Sequence, residues 1–294
     1  MGDKLEYCAL KVFKFIVNIL PEKLNYYLAC ALGTVLYYLV RSRRKLGIEN
    51  VKEALGYSEE DAQQLIKEVF QDLVIKIVEV LTVESWNQED FNDRIKIEGE
   101  EYLKKTYEEE RGIILFTGHF GNWELLGLYL CVLGYPVNAL ARERSNELIA
   151  KEIWNIRESR GGRVFDYKKE IRNAFKALLK NELLLVLADQ EAGSNGQFVQ
   201  FFHKLAWTPP GPVELAAKTD SVIIPIYLTR EDRGKYKLHI EAPLEVPKGA
   251  STTAKQKALQ KLTFSLERKI LEYPKQWLWL HDRWDSDPPK EEDS

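Results

Sequence analysis

The chain has 294 residues, 45% hydrophobic and 30% charged, enough for one large domain or two small ones with a sizeable core. A net charge of −3 excludes an overall nucleic-acid signature. Three scattered cysteines (Cys8, Cys30, Cys131) have neither metal-ligand spacing nor a disulfide framework, which points to a reducing compartment.

Charge is uneven at the start. Residues 1–50 carry eight Lys/Arg against four acids, a local excess of +4 that leaves −7 for the rest. Leu5 to Leu20 is apolar with Lys11 and Lys14 on it, which suits an amphipathic interfacial helix, and Pro21 breaks it. Leu24 to Val40 is then 17 residues without a charge, followed at once by Arg41-Ser42-Arg43-Arg44-Lys45. Seventeen is the lower limit for a membrane span, and Asn25 and Gly33 weaken that case. Residues 1–50 are therefore expected to be helices lying in or dipping into one leaflet. Their basic end would rest on cytoplasmic headgroups. The alternative is a buried core helix with a solvated basic end.

Ser58 reads as the N-cap of a helix reaching about Val83, with acids in its first turn. Ile95 to Glu98 alternates as a short strand, and 102–110 reads as an exposed helix. Ile113 to Phe116 is a buried strand, with a helix from Glu124 to about Leu133. Val137 to Ala141 is a second strand, ending at Arg142. A helix through Ile149, Ile153 and Ile156 follows, then a short strand at 163–165 and a helix at 171–180. Leu183 to Ala188 is a fully apolar strand ending at Asp189-Gln190. Pro209-Pro210-Gly211-Pro212 turns into a helix at 213–218, with Pro212 suited to its first position. Val222 to Leu228 is another buried strand, and Lys237 to Ile240 an edge partner. Residues 254–271 form a last amphipathic helix, and 285–294, with five acids, two prolines and one lysine, read as a disordered tail. Strands alternating with helices imply an α/β fold, a mostly parallel central sheet flanked by helices, over residues 51–284.

In such a sheet the strand ends at His119, Arg142 and Asp189 share one edge, where open α/β folds place their chemistry. His119 stands in a loop between Gly118 and Gly121, and Glu124 lies in the first turn of the following helix. At about 100° per residue, i and i+5 are roughly 140° apart on a helix, so the two meet only if Glu124 reaches back to the loop. A neutral imidazole suits proton removal from a hydroxyl, and a carboxylate on its other nitrogen would fix the tautomer. The structural alternative is a strand-end histidine, with Glu124 merely favouring the helix N-terminus. No ligand spacing supports a metal site, and no Gly-x-Ser-x-Gly elbow points to a hydrolase.

Several segments together resemble a known family. GHFGNWE (118–124) is similar to the His-x-x-x-x-Asp/Glu signature of glycerolipid-type acyltransferases, in the form used by bacterial lipid A lauroyl/myristoyl acyltransferases. LARERSN (140–146) with Arg157 resembles the family's arginine-bearing segment, and LADQ (187–190) its Asp-Gln strand end. FFHKLAWTPPGPVELAAKTDSVIIPIY (201–227) and PKQWLWLHDRW (274–284) resemble its later blocks. His203 stands where Gly is usual, Leu205 where Pro is usual, and Asp285 where a basic residue is usual.

The resemblance implies transfer of a fatty acyl chain, usually from acyl carrier protein, to a hydroxyl of a lipid-linked sugar at the cytoplasmic face of the bacterial inner membrane. His119 would be the base and Glu124 its orienting acid. Arg142 and Arg157 would bind acceptor phosphates or the oxyanion, with backbone N–H groups near Asn122 and Trp123 as other oxyanion donors. Asp189 could hold one of the arginines or cap its turn, and Gln190 and Asn122 complete the substrate-binding candidates. The expected partners are acyl carrier protein or acyl-CoA, a membrane lipid acceptor and the membrane surface. Nucleic acid is not among them, and no cofactor is expected beyond the acyl thioester. Variants on the same site would acylate a phosphatidylinositol mannoside or a lysophospholipid, and a non-catalytic lipid-binding protein is the third reading. His281 is expected to be a structural or rim histidine, and Trp277, Trp279 and Trp284 core or membrane-interface packing.

Overall fold

The computed structural model describes residues 2–141 and 146–287. Two 18-residue helices, α1 (Gly2–Ile19) and α2 (Glu22–Leu39), are parted by Leu20-Pro21 and followed by α3 (Arg41–Leu55). The 24-residue α4 (Glu59–Thr82) starts where the sequence predicts, with the Ser58 hydroxyl accepting from the Asp61 N–H at 3.1 Å. Then come α5 (Gln88–Arg94), β1 (Ile95–Glu98), α6 (Glu100–Glu108), β2 (Ile113–Thr117), α7 (Trp123–Val132) and β3 (Val137–Ala141). The chain continues through α8 (Glu147–Glu158), β4 (Arg163–Asp166), α9 (Ile171–Leu178) and β5 (Leu183–Leu187). A hairpin, β6 (Gln197–Phe201) and β7 (Lys204–Thr208), precedes α10 (Gly211–Thr219), β8 (Val222–Asp232), β9 (Lys235–Ile240) and α11 (Thr252–Glu272).

Seven strands form one sheet in the order β1-β9-β8-β2-β5-β3-β4, parallel except for the β8–β9 pair. Both faces are covered. Ile114, Phe116, Leu184, Val186 and Ile223 pack with α9, α10 and α11, and Ile113, Leu115, Leu183, Leu185 and Ile224 pack with α7. Burial on both faces is why β2 and β5 read as unbroken apolar runs. The β2–β5 register sets Thr117 opposite Leu187, so the two residues that follow each strand emerge side by side.

Several expectations differ from the structure. Strand β9 is interior, between β8 and β1, because β1 returns parallel to it and takes the edge. The β6–β7 hairpin is absent from the sequence reading because its turn lacks Gly and Asn; Phe202 and His203 adopt φ of 52° and 48° there. Pro212 is the second helical residue, behind Gly211. The expected boundary at residue 50 falls inside α3, where Asn50 donates to the Trp279 and His281 carbonyls, both at 2.9 Å. Ser286 donates to Glu191 at 2.7 Å, so the chain is still docked after residue 285, and the rest of the expected tail, 288–294, lies outside the described residues.

The first two helices carry apolar residues on both sides. On α1, Leu10, Phe13 and Val17 face the body, while Leu5, Val12, Phe15 and Ile19 are exposed. On α2, Ala29, Gly33 and Tyr37 are buried, and Leu24, Tyr27, Val35 and Leu39 are exposed. Among the described residues, no helix is long and apolar enough to cross a membrane.

Candidate active site

The backbone of His119, Gly121 and Asn122 bonds the loop from Gly118 to Asn122 into the body. The His119 N–H donates to Asp189 Oδ2 at 2.7 Å, and the His119 carbonyl accepts from the Leu278 N–H at 3.1 Å. The Gly121 N–H donates to the Gln276 carbonyl at 3.0 Å and the Asn122 N–H to the Leu228 carbonyl at 2.8 Å. Both glycines are required. A Cβ on Gly118 would lie 2.8 Å from Asp189 Oδ2, and Gly121, at φ 57°, would bring one within 1.9 Å of the Leu228 carbonyl.

This loop aims the His119 ring at Asp189. Nδ1 and Asp189 Oδ1 are 2.8 Å apart, and Trp277 Nε1 donates to Asp189 Oδ2 at 2.9 Å. Burial works to raise the Asp189 carboxyl, but the His119 ring beside it and the three hydrogen bonds outweigh it and hold the group below its ordinary value. An ionised Asp189 fixes the proton of the neutral imidazole on Nδ1 and leaves the Nε2 lone pair available. The His119 side chain keeps 25% of its surface exposed, facing a cavity of about 900 Å³.

The expected partner is therefore corrected. Glu124 does not hold the imidazole; its carboxylate faces Arg157, which donates from Nε to Oε2 at 2.7 Å and from Nη2 to Oε1 at 2.5 Å. The reason is positional: Glu124 lies in the first turn of α7 and faces α8, whereas Asp189 leaves the neighbouring strand beside His119. Burial opposes the charge on Arg157, yet Glu124 outweighs it and raises the guanidinium above its usual value. Trp123 links the two pairs, its ring 5.1 Å from that of His119 and its Nε1 donating to Glu124 at 3.2 Å.

The remaining candidates divide. Arg157, Glu124 and Gln190 line the cavity with His119. Asn122 does not: it is buried, caps α7 by accepting from the Leu125 N–H at 3.1 Å, and donates to Glu79 at 2.8 Å. Because the Asn122 N–H is spent on Leu228, it is not an oxyanion donor. Asp189 holds a histidine rather than an arginine, and Arg142 lies outside the described residues. His281 lines the rim, its Nε2 accepting from the Glu191 N–H at 3.2 Å, and burial lowers its basicity. Trp277 and Trp279 are core residues. Among the described residues, no group of three His, Cys, Asp or Glu side chains could hold a metal.

Where α7, α8 and the sheet line it, the cavity is apolar, with Leu128, Cys131, Val137, Ile153, Trp154 and Leu185 on its wall. The lining also includes Tyr167, Pro209 and Pro210 just before α10, and Lys218 in its last turn. A base with a fixed tautomer, an adjacent arginine and apolar lining residues suit attack of an alcohol on a carbonyl that carries a long chain.

Comparison with known proteins agrees with that chemistry. The family model described as bacterial lipid A biosynthesis acyltransferase matches residues 4–286. The lipid A biosynthesis palmitoleoyltransferase of Escherichia coli is 25% identical over 275 residues, 92% of this chain and 87% of that protein. The lipid A biosynthesis lauroyltransferase of the same organism is 26% identical over 291 residues, 97% and 92% of the two chains. A phosphatidylinositol mannoside acyltransferase of Mycolicibacterium smegmatis is 25% identical over 191 residues, covering 64% of this chain and 61% of its own. A solved 1-acyl-sn-glycerophosphate acyltransferase from Thermotoga maritima aligns with a TM-score of 0.39 at 18% identity, over 84% of this chain and 97% of that one. The chain belongs to the bacterial lipid A biosynthesis acyltransferase family and is a lipid O-acyltransferase.

Proposed function

We propose that the protein transfers a fatty acyl chain from an acyl thioester, carried by acyl carrier protein, to a hydroxyl of a lipid-linked sugar resembling a lipid A precursor. The single observation that carries this reading is the His119–Asp189 pair, with His119 on the wall of a cavity that is also lined by apolar residues. The acyl chain lies along the apolar lining from α7 and α8, which brings the thioester carbonyl to His119. Nε2 takes the acceptor hydroxyl proton as the new C–O bond forms, and Asp189 stabilises the imidazolium. The tetrahedral oxyanion faces Arg157, whose Nε and Nη2 are used on Glu124 and whose Nη1 edge is left for a ligand. Collapse breaks the C–S bond, and the imidazolium returns the proton to the departing thiolate. The phosphatidylinositol mannoside relatives support a second acceptor class on the same site.

The exposed apolar stripes of α1 and α2 support docking on a lipid surface, with neighbouring Lys4, Lys23, Arg41, Arg43 and Lys45 on anionic headgroups. In this reading the protein works at the cytoplasmic face of the inner membrane. Acyl transfer followed by mass spectrometry of the product lipid tests the function. His119→Ala is expected to lose about a thousandfold in rate with little change in Tm. Transfer at the wild-type rate by His119→Ala sinks the mechanism.

A further inference from the structure

Beneath the His119 loop lies a buried group of four charges that touches no part of the cavity. Asp72, Lys76 and Glu79 come from α4 and Arg230 from β8. Lys76 Nζ is 2.8 Å from Asp72 Oδ2; Arg230 pairs with Asp72 through Nη1, and with Glu79 through Nε at 2.5 Å and Nη2 at 2.9 Å. Asp72 and Lys76 are 3% and 7% exposed. Burial works to raise the Asp72 carboxyl, but Lys76 and Arg230 outweigh it; burial lowers Lys76, against the pull of Asp72.

Lys76, Glu79 and Arg230 connect to the loop directly or through Gln276, and Asp72 holds Lys76 and Arg230. Lys76 Nζ donates at 2.9 Å to the Gln276 carbonyl, the oxygen that also accepts the Gly121 N–H. Gln276 is itself locked to the Arg230 backbone by two bonds of 2.9 Å. Glu79 accepts from Asn122 Nδ2 at 2.8 Å. Finally, the Lys76 ammonium sits 5.2 Å from the Trp123 ring centroid, and Trp123 packs edge-on against His119.

Dismantling a buried ion group costs more than a hydrophobic replacement of the whole would, so stability alone is a poor reason for it. We infer that Lys76 is a positioning residue, and that the Asp72–Lys76–Glu79–Arg230 group sets the orientation of the His119 ring toward Asp189 and the cavity. The inference rests on the His119 base proposed above. Its test reads the imidazole directly, so the two can fail separately. Among the described residues, His119 interacts with the titratable groups Asp189 and, across the rim, His281, and shares the cavity lining with Glu124 and Arg157.

The decisive measurement is the 15N chemical shifts of the neutral His119 ring in the full-length protein. Wild type is expected to hold a single Nδ1–H tautomer. The charge-neutral double variant Asp72→Asn/Lys76→Met is expected to show a tautomer mixture, with kcat lower by about ten- to a hundredfold and KM within about twofold. Lys76→Arg is expected to restore both. If the double variant does not fold, Lys76→Gln, which keeps an N–H for Gln276 and leaves Asp72 paired with Arg230, reads the same shifts. A single wild-type tautomer in a folded variant overturns the inference whatever the rate. Absence of acyl transfer by the wild type overturns the proposed function alone.

Discussion

The His119 loop and the α1–α2 pair invert the usual rule of burial in opposite ways. Around the loop, Asp72, Lys76, Asp189 and Gln276 are charged or polar and shut away from solvent; on the first two helices, Leu5, Phe15, Ile19 and Leu39 are large, apolar and more than half exposed. An exposed leucine alone means little, but a buried charge and a continuous exposed apolar stripe each call for an explanation. At the loop the buried polar groups are paired with one another, which makes the geometry rigid. On α1 and α2, Leu5, Phe15, Ile19 and Leu39 belong to neither buried apolar cluster, and the proposed function assigns them to a lipid surface.

The strongest way to break that comparison is at Asp189. Asp189→Asn removes the charge that holds the ring and is expected to lower kcat about a thousandfold, because the amide can favour the wrong tautomer. Glu124→Gln is expected to cost less and to leave the His119 tautomer intact, since Glu124 acts on Arg157; equal tautomer scrambling in the two variants would erase the distinction drawn between the two carboxylates. A second, smaller effect sharpens the contrast from the other side. Changing Leu5, Val12, Phe15 and Ile19 together to Ser should weaken binding to anionic vesicles about a hundredfold or more, at roughly 1 kcal/mol per inserted side chain. Tm should barely move, because these residues are exposed; a large drop in Tm with unchanged vesicle binding would mean that the stripe serves the fold.

The smallest expected effect concerns acid. Asp189 is lowered in the folded protein, so its contribution to stability is fully present above the ordinary carboxylate pKa and is lost as pH falls through the folded value. Asp72 acts in the same direction. Urea titrations from pH 7 down to about 3 should show a shallower acid loss for Asp189→Asn than for wild type. A parallel acid limb in the two proteins would remove Asp189 from the account.

Much of this architecture was legible before any coordinates. Ile113–Phe116 and Leu183–Ala188 announce buried strands because both of their faces are covered, Ser58 marks the start of α4, and the glycines flanking His119 mark a tight path. These are local or periodic properties, written in consecutive residues. The choice between Asp189 and Glu124 was not local. It was settled by β5 lying beside β2 in a register that puts residues 119 and 189 together, and by α8 presenting Arg157 to Glu124. The buried quartet was half visible, since Leu65, Val69, Asp72, Lys76 and Glu79 follow helical spacing and put charges on the stripe that faces inward. Their partner Arg230 lies far along the chain, on β8. Sequence by itself determined most of the strands and helices, though not the β6–β7 hairpin, and which residues can do acid–base chemistry, because hydrophobic period and side-chain type act over a few residues. Only the tertiary structure decided which carboxylate serves which cation, because that depends on strand order, and strand order is a property of the whole packed sheet.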